Sequence, residues 1–168
     1  MKKLNLAVET EGDGKKWNFV GIWAKNREEW TTTHIANMYM TYTTIGFFDS
    51  MGVSAVDFIL EQTELSTMFT TMEYIKKVIQ MKKDKLARTV KNFVCFDAFT
   101  DKDKEECKEH GLNLYHFSEV LEIGGAATDI PFNKCNENDC PIFSYTSGTT
   151  GDSKGVKLTH RNLHSSCL

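Results

Sequence analysis

The sequence predicts an α/β fold, a doubly wound and mostly parallel sheet. Two observations predict it: short apolar runs alternate with stretches of helical periodicity, and capping or turn residues punctuate the alternation. Phe19-Val20-Gly21-Ile22-Trp23-Ala24 reads as a buried strand. Asn26, with Glu29 following, marks a helix start, and Trp30, His34, Met38, Tyr42 and Ile45 recur at helical spacing as its inner face. Ile45-Gly46-Phe47-Phe48 suits a second strand, ended by Asp49-Ser50-Met51-Gly52. Ser54 then caps a helix whose inner face is Ala55, Phe58, Ile59 and Gln62. Ser66 to Thr70 is rich in strand formers, and Ile75, Val78, Ile79 and Leu86 mark the next helix. Asn92 to Phe96 makes a strand, and Asp101 to His110 an exposed helix stopped by Gly111. Leu112 to Tyr115 and Ser118 to Ile123 supply one more strand and a short helix. After the irregular stretch from Gly124 to Pro141, Pro141-Ile142-Phe143-Ser144-Tyr145 forms a final strand.

Composition agrees with one soluble domain. The 168 residues suffice for a sizeable core, with 40% hydrophobic and 26% charged residues. A net charge of −3 gives no electrostatic reason to expect nucleic acid as a partner. Lys76, Lys77, Lys82, Lys83 and Lys85 read as the solvated end of a helix, where cations complement the dipole. Five cysteines form no small-domain disulfide pattern, and the N-terminus lacks a signal-peptide apolar stretch, so a reducing, cytoplasmic setting is expected. No run approaches the roughly 18 apolar residues of a spanning helix. Membrane association of a full-length protein stays open. Cys135 and Cys140 lack a second ligand pair at zinc spacing, so no metal site is expected. His34 reads as a core histidine, Asp49 as a turn residue, and the aromatics Trp23, Trp30, Phe47, Phe48 and Phe58 as core.

The chemistry concentrates after Tyr145. Thr146-Ser147-Gly148-Thr149-Thr150-Gly151-Asp152-Ser153-Lys154-Gly155 combines three glycines, which permit close approach of a ligand, with the hydroxyls of Thr146, Ser147, Thr149 and Thr150 and the charge of Lys154. Successive N–H groups in such a turn can form an anion nest, which suits a polyphosphate. A polar loop between two strands is the plainer alternative. The stretch is neither a Walker loop, since Ser153 and Gly155 flank Lys154, nor a Gly-x-Gly-x-x-Gly dinucleotide turn.

This stretch resembles the signature loop of the adenylate-forming (AMP-binding) superfamily: Tyr-Thr-Ser-Gly-Thr-Thr-Gly, any residue, Pro, then Lys-Gly-Val. Tyr145 to Val156 matches it, except that Ser153 stands at the Pro position. Phe19 to Trp30, with Val20-Gly21-Ile22 and Asn26-Arg27-Glu28-Glu29-Trp30, and Phe48-Asp49-Ser50-Met51-Gly52 are similar to segments of eukaryotic long-chain acyl-CoA synthetases. The resemblance implies that residues 1–168 are an incomplete portion of the large N-terminal domain, with the phosphate loop at 145–156 and the C-terminal domain absent. It implies a long-chain fatty acid–CoA ligase, with fatty acid, ATP and CoA as small-molecule substrates and Mg²⁺ as cofactor. Thr146, Ser147, Gly148, Thr149, Thr150, Gly151 and Lys154 would hold the ATP phosphates, and no catalytic acid or base lies in this stretch. The alternatives are another adenylate-forming acid–thiol ligase, or a truncated, non-catalytic nucleotide-binding remnant. The cytosolic face of endoplasmic reticulum or peroxisome membranes fits the resemblance. Ser153 in place of Pro implies a looser loop and weaker ATP binding, because Pro would fix φ. A chain ending at Leu168 is expected to fold poorly alone and to show no ligase turnover.

Overall fold

The computed structural model describes residues 1–146 and 153–167. After a short 3-10 turn at Lys2–Leu4, a hairpin joins β1 (Glu9–Gly12) to β2 (Lys15–Trp23). Then follow α1 (Glu28–Tyr39), β3 (Thr43–Phe47), α2 (Val53–Thr63), β4 (Thr67–Thr70) and α3 (Met72–Lys83). Next come β5 (Asn92–Cys95), α4 (Asp101–Glu109), β6 (Asn113–His116) and α5 (Phe117–Gly125). The described chain closes with β7 (Ile142–Thr146), β8 (Lys154–Leu158) and α6 (His160–Ser165).

The strands form one eight-stranded sheet in the order β6-β5-β4-β2-β3-β7-β8, with β1 paired to the front of β2. Every pairing among β2 to β7 is parallel; β1 and β8 join antiparallel. The mostly parallel α/β fold is therefore the observed one. Side chains alternate strictly across it. Phe19 and Trp23 of β2, Met68 of β4 and Phe93 of β5 enter a core under α2, α3 and α4. Val20, Ile22, Phe69 and Val94 enter a second core with Trp30 of α1 and Val120 of α5. Each fully buried apolar side chain of this size contributes about 1.5–3 kcal/mol relative to exposure. The helices that carry the chain one way along the sheet, α2 to α4, share one face, and those that carry it back, α1 and α5, share the other. A constant crossover hand requires this arrangement.

Several local expectations change. The strand expected from Phe19 begins at Lys15, because a two-residue turn at Asp13 (φ 52°) and Gly14 (φ 68°) folds β1 onto it. Both turn residues have positive φ, the geometry for which Asp-Gly is suited. Arg27, not Asn26, is the N-cap of α1, and its guanidinium is engaged instead with Glu29 (2.7 Å) and Asp97 (3.0 Å). The fully buried positions of α1 are polar: Thr33 donates to the Glu29 carbonyl (2.7 Å), and the Asn37 amide donates to Thr44 Oγ1 (3.0 Å). Tyr42 and Ile45 lie beyond the helix. Gly52, not Ser54, caps α2, and its buried face is Val56, Ile59, Leu60 and Thr63, so only Ile59 is common to the expected face. Apolar residues almost encircle the front of α2, so periodicity alone does not choose among them. Phe48 is exposed rather than core, as its strand has already ended at Phe47. On α4 a single residue, Cys107, turns inward.

Candidate functional site

β7 and β8 form a hairpin whose mouth lies at the carboxyl edge of the parallel sheet, the edge where ligands bind in open α/β folds. β7 runs parallel to β3 and is anchored before it starts: Thr43 Oγ1 donates to the Cys140 carbonyl (2.7 Å), and the Thr44 amide donates to the Pro141 carbonyl (2.9 Å). β8 returns antiparallel, with Tyr145 opposite Gly155 and Thr146 opposite Lys154 as the outermost pair. Thr146 and Lys154 are both exposed, and among the described residues Lys154 forms no ion pair. A hydroxyl and an ammonium thus stand side by side at the hairpin mouth. Ser147, Gly148, Thr149, Thr150 and Gly151, the other residues expected to hold phosphate, lie outside the described residues.

The base of the hairpin is rigidly packed. Tyr145 is 4% exposed, and burial pushes its hydroxyl up to about 12. The hydroxyl donates to Gln62 Oε1 at 2.7 Å, reaching across to the last turn of α2. Gly155 lies against the same ring: a Cβ there would meet Tyr145 Cζ at 3.1 Å. This glycine serves close approach rather than an unusual φ. Two residues further from the mouth, Lys157 pairs with Asp13 of the β1–β2 turn and lies over the Trp17 and Phe143 rings, 5.4 and 5.9 Å from their centroids. Cys140 Sγ donates to the Leu158 carbonyl (3.2 Å), a hydrogen-bonded thiol whose pKa is raised by burial. Thr159 then caps α6 in a reciprocal box with Asn162.

Other groups line the same carboxyl edge. Tyr74 stacks on Trp23 with ring centroids 4.5 Å apart and donates to Asp49. Burial, then the Asp49 hydrogen bond, drives the Tyr74 hydroxyl above its ordinary range. Asp49 therefore does more than shape a turn: it ties the end of β3 to α3. Asp97 accepts from the Met72 amide at the start of α3 (3.1 Å) as well as from Arg27. Glu29, Asp49 and Asp97 are thus each committed to protein donors. Away from this edge, near the start of β3, His34 Nδ1 lies 2.9 Å from Thr44 Oγ1, and burial, with a smaller push from His160, lowers its pKa.

Sequence reasoning singled out Tyr145, Gly155 and Lys154 through the motif but missed Gln62, Asp13 and Lys157 as its supports. The Asp13-Gly14 turn was readable in principle. Gln62 was not, since nothing local links it to a tyrosine 83 positions away.

A parallel sheet with this hairpin defines a class, and the family match agrees: the model of the AMP-binding enzyme family covers residues 11–168. The chain belongs to that family. Within it, the chain is 33% identical over 147 residues to a protein named fatty acyl-CoA synthetase B of Dictyostelium discoideum, covering 87% of this chain and 22% of that one. It is 32% identical over 163 residues to long chain acyl-CoA synthetase 3 of Arabidopsis thaliana, covering 96% of this chain and 24% of that protein. It thus spans about a fifth to a quarter of the length of these relatives. The didomain of a carboxylic acid reductase from Segniliparus rugosus, solved in complex with AMP, superposes with a TM-score of 0.69 over 88% of this chain and 22% of its own, at 19% identity. That likeness speaks for the fold alone.

Proposed function

We propose that this chain supplies the ATP phosphate-binding part of a long-chain fatty acid–CoA ligase. The observation that carries the reading is the hairpin mouth, where Thr146 and Lys154 are held in register at the carboxyl edge of a parallel sheet with the motif residues between them. In this reading Thr146, Ser147, Gly148, Thr149, Thr150, Gly151 and Lys154 hold the β- and γ-phosphates. The fatty-acid carboxylate attacks the α-phosphorus, pyrophosphate leaves, and the CoA thiol then displaces AMP from the acyl-adenylate. The clamp acts electrostatically: donors fixed beforehand meet the charge that builds on departing pyrophosphate. Mg²⁺ would add neutralisation of the phosphates. Among the described residues no three His, Cys, Asp or Glu side chains converge on a cation, so no step is assigned to the ion here. The long-chain preference is supported by the names of the relatives, and a cytoplasmic location, at the cytosolic face of endoplasmic reticulum or peroxisome membranes, goes with it. Among the described residues no helix is long and apolar enough to cross a membrane.

Titrating the chain with ATP tests the clamp. Saturable binding is expected, weakened about tenfold or more in Lys154→Ala, the loss of one charge-assisted contact. Equal affinity in the variant, or no saturable binding in an unaltered chain that circular dichroism shows to be folded, would count against this reading.

A further inference from the structure

We infer that Gln62 is a positioning residue for the phosphate-binding hairpin, an inference that rests on the function proposed above. Tyr145 is the last inward-facing side chain of β7 before the mouth, so where its ring sits decides where Thr146 emerges. Packing restrains that ring on one side, at Gly155, where a Cβ would lie only 3.1 Å from Cζ. The polar end is held by one partner among the described residues, Gln62 Oε1 at 2.7 Å. The grip is directional. A hydroxyl bonded to a fixed acceptor cannot slide along the strand axis without losing the bond, whereas an apolar contact tolerates such sliding.

Gln62 is well placed for this task. It stands in the last turn of α2, whose neighbours Ile59, Leu60 and Thr63 are buried and whose Thr63 hydroxyl is bonded back to the Ile59 carbonyl (2.7 Å). The helix end therefore moves with the sheet core. The Gln62 side chain itself lines an open cleft shared with Thr10, Trp17, Tyr145 and Lys157. Gln62 is itself exposed on this cleft, so water is expected to take its place at the Tyr145 hydroxyl when the carboxamide is removed. Loss of Gln62 should thus leave no stranded buried donor and cost little global stability, while freeing the hairpin base. The second tie, Lys157 to Asp13, lies further from the mouth and holds β8 to the β1–β2 turn rather than to α2. The two ties share no residue.

The test compares Gln62→Leu, which removes the acceptor, with Gln62→Glu, which keeps an acceptor oxygen, in the 168-residue chain. Amide hydrogen exchange without ligand is the first readout. Gln62→Leu should speed exchange of the β7 and β8 amides roughly 3- to 10-fold, the worth of one hydrogen bond, and leave β4 and β5 unchanged. ATP titration is the second. Affinity for ATP should fall roughly 3- to 10-fold in Gln62→Leu, with adenosine binding unaltered, and Gln62→Glu should restore both readouts. Exchange equal to that of the unaltered chain would overturn the positioning role. So would faster exchange with unchanged ATP affinity, which would make the bond structural only. Absence of ATP binding by the unaltered chain, with the exchange effect present, would instead overturn the phosphate-binding reading on which this inference rests.

Discussion

At position 153 the chain carries Ser where the signature of its family has Pro, one residue before the Lys154–Thr146 pair. Pro restricts the unbound loop through its fixed φ, and a compatible X-to-Pro change is worth about 0.4–1 kcal/mol by lowering the entropy lost on ordering. Ser153→Pro is therefore expected to tighten ATP binding by roughly 2- to 5-fold. An unchanged or weakened affinity by calorimetric titration would mean that the loop is already constrained by its neighbours. The motif residues themselves were readable from sequence because their chemistry is local: glycines, hydroxyls and a cation in one stretch. Tyr145 shows the limit of such reading. Its place in the motif is visible in the sequence, yet its partner Gln62 arrives from another element, and only folding brings the two together.

Among the elements, α1 departs furthest from pattern, burying Thr33 and Asn37 while Ile35 and Tyr39 face outward, 47% and 54% exposed. The cause lies in β3. Thr44 presents a hydroxyl to the helix, and Asn37 and His34 both converge on it. A polar seam thus runs beside the apolar Trp30 contact, and it includes an imidazole whose pKa is lowered by burial. The sign follows directly. The native state disfavours protonated His34, so its contribution to stability is present above the unfolded value near 6.5 and is lost as pH falls below it towards the lowered folded value. Denaturation midpoints should drop between pH 7.5 and 5.5, and His34→Gln should flatten part of that slope. An identical slope in the variant would assign the pH dependence to other groups. The parallel strands other than β2, by contrast, were read to within about two residues. Short runs of strand formers such as Asn92–Cys95 and Ile142–Thr146 pair within a residue or so of where their composition placed them.

For the molecule as a whole, Ile35, Tyr39 and Phe132 gather on one outer face beyond α1, with the Tyr39 and Phe132 rings 5.0 Å apart and Phe132 73% exposed. With Met40, Ile123 and Ile130 they line an apolar cavity of about 510 Å³. A surface of this kind is an association liability in the 168-residue chain. Ile35→Lys combined with Phe132→Lys should raise soluble yield and lower light scattering, with the far-ultraviolet spectrum preserved. Scattering that matches the unaltered chain would exclude this face as the source. The sequence by itself determined the class of fold, the succession of strands and helices, and the loop that marks the family. These depend on local periodicity, on turn chemistry and on a contiguous motif. Tertiary structure alone decided which residues of α1 and α2 point inward, and the Gln62–Tyr145 and Asp13–Lys157 ties that hold the hairpin. Each of those depends on a partner far away in the chain, and a contact between distant residues leaves no periodic trace in either of the segments that make it.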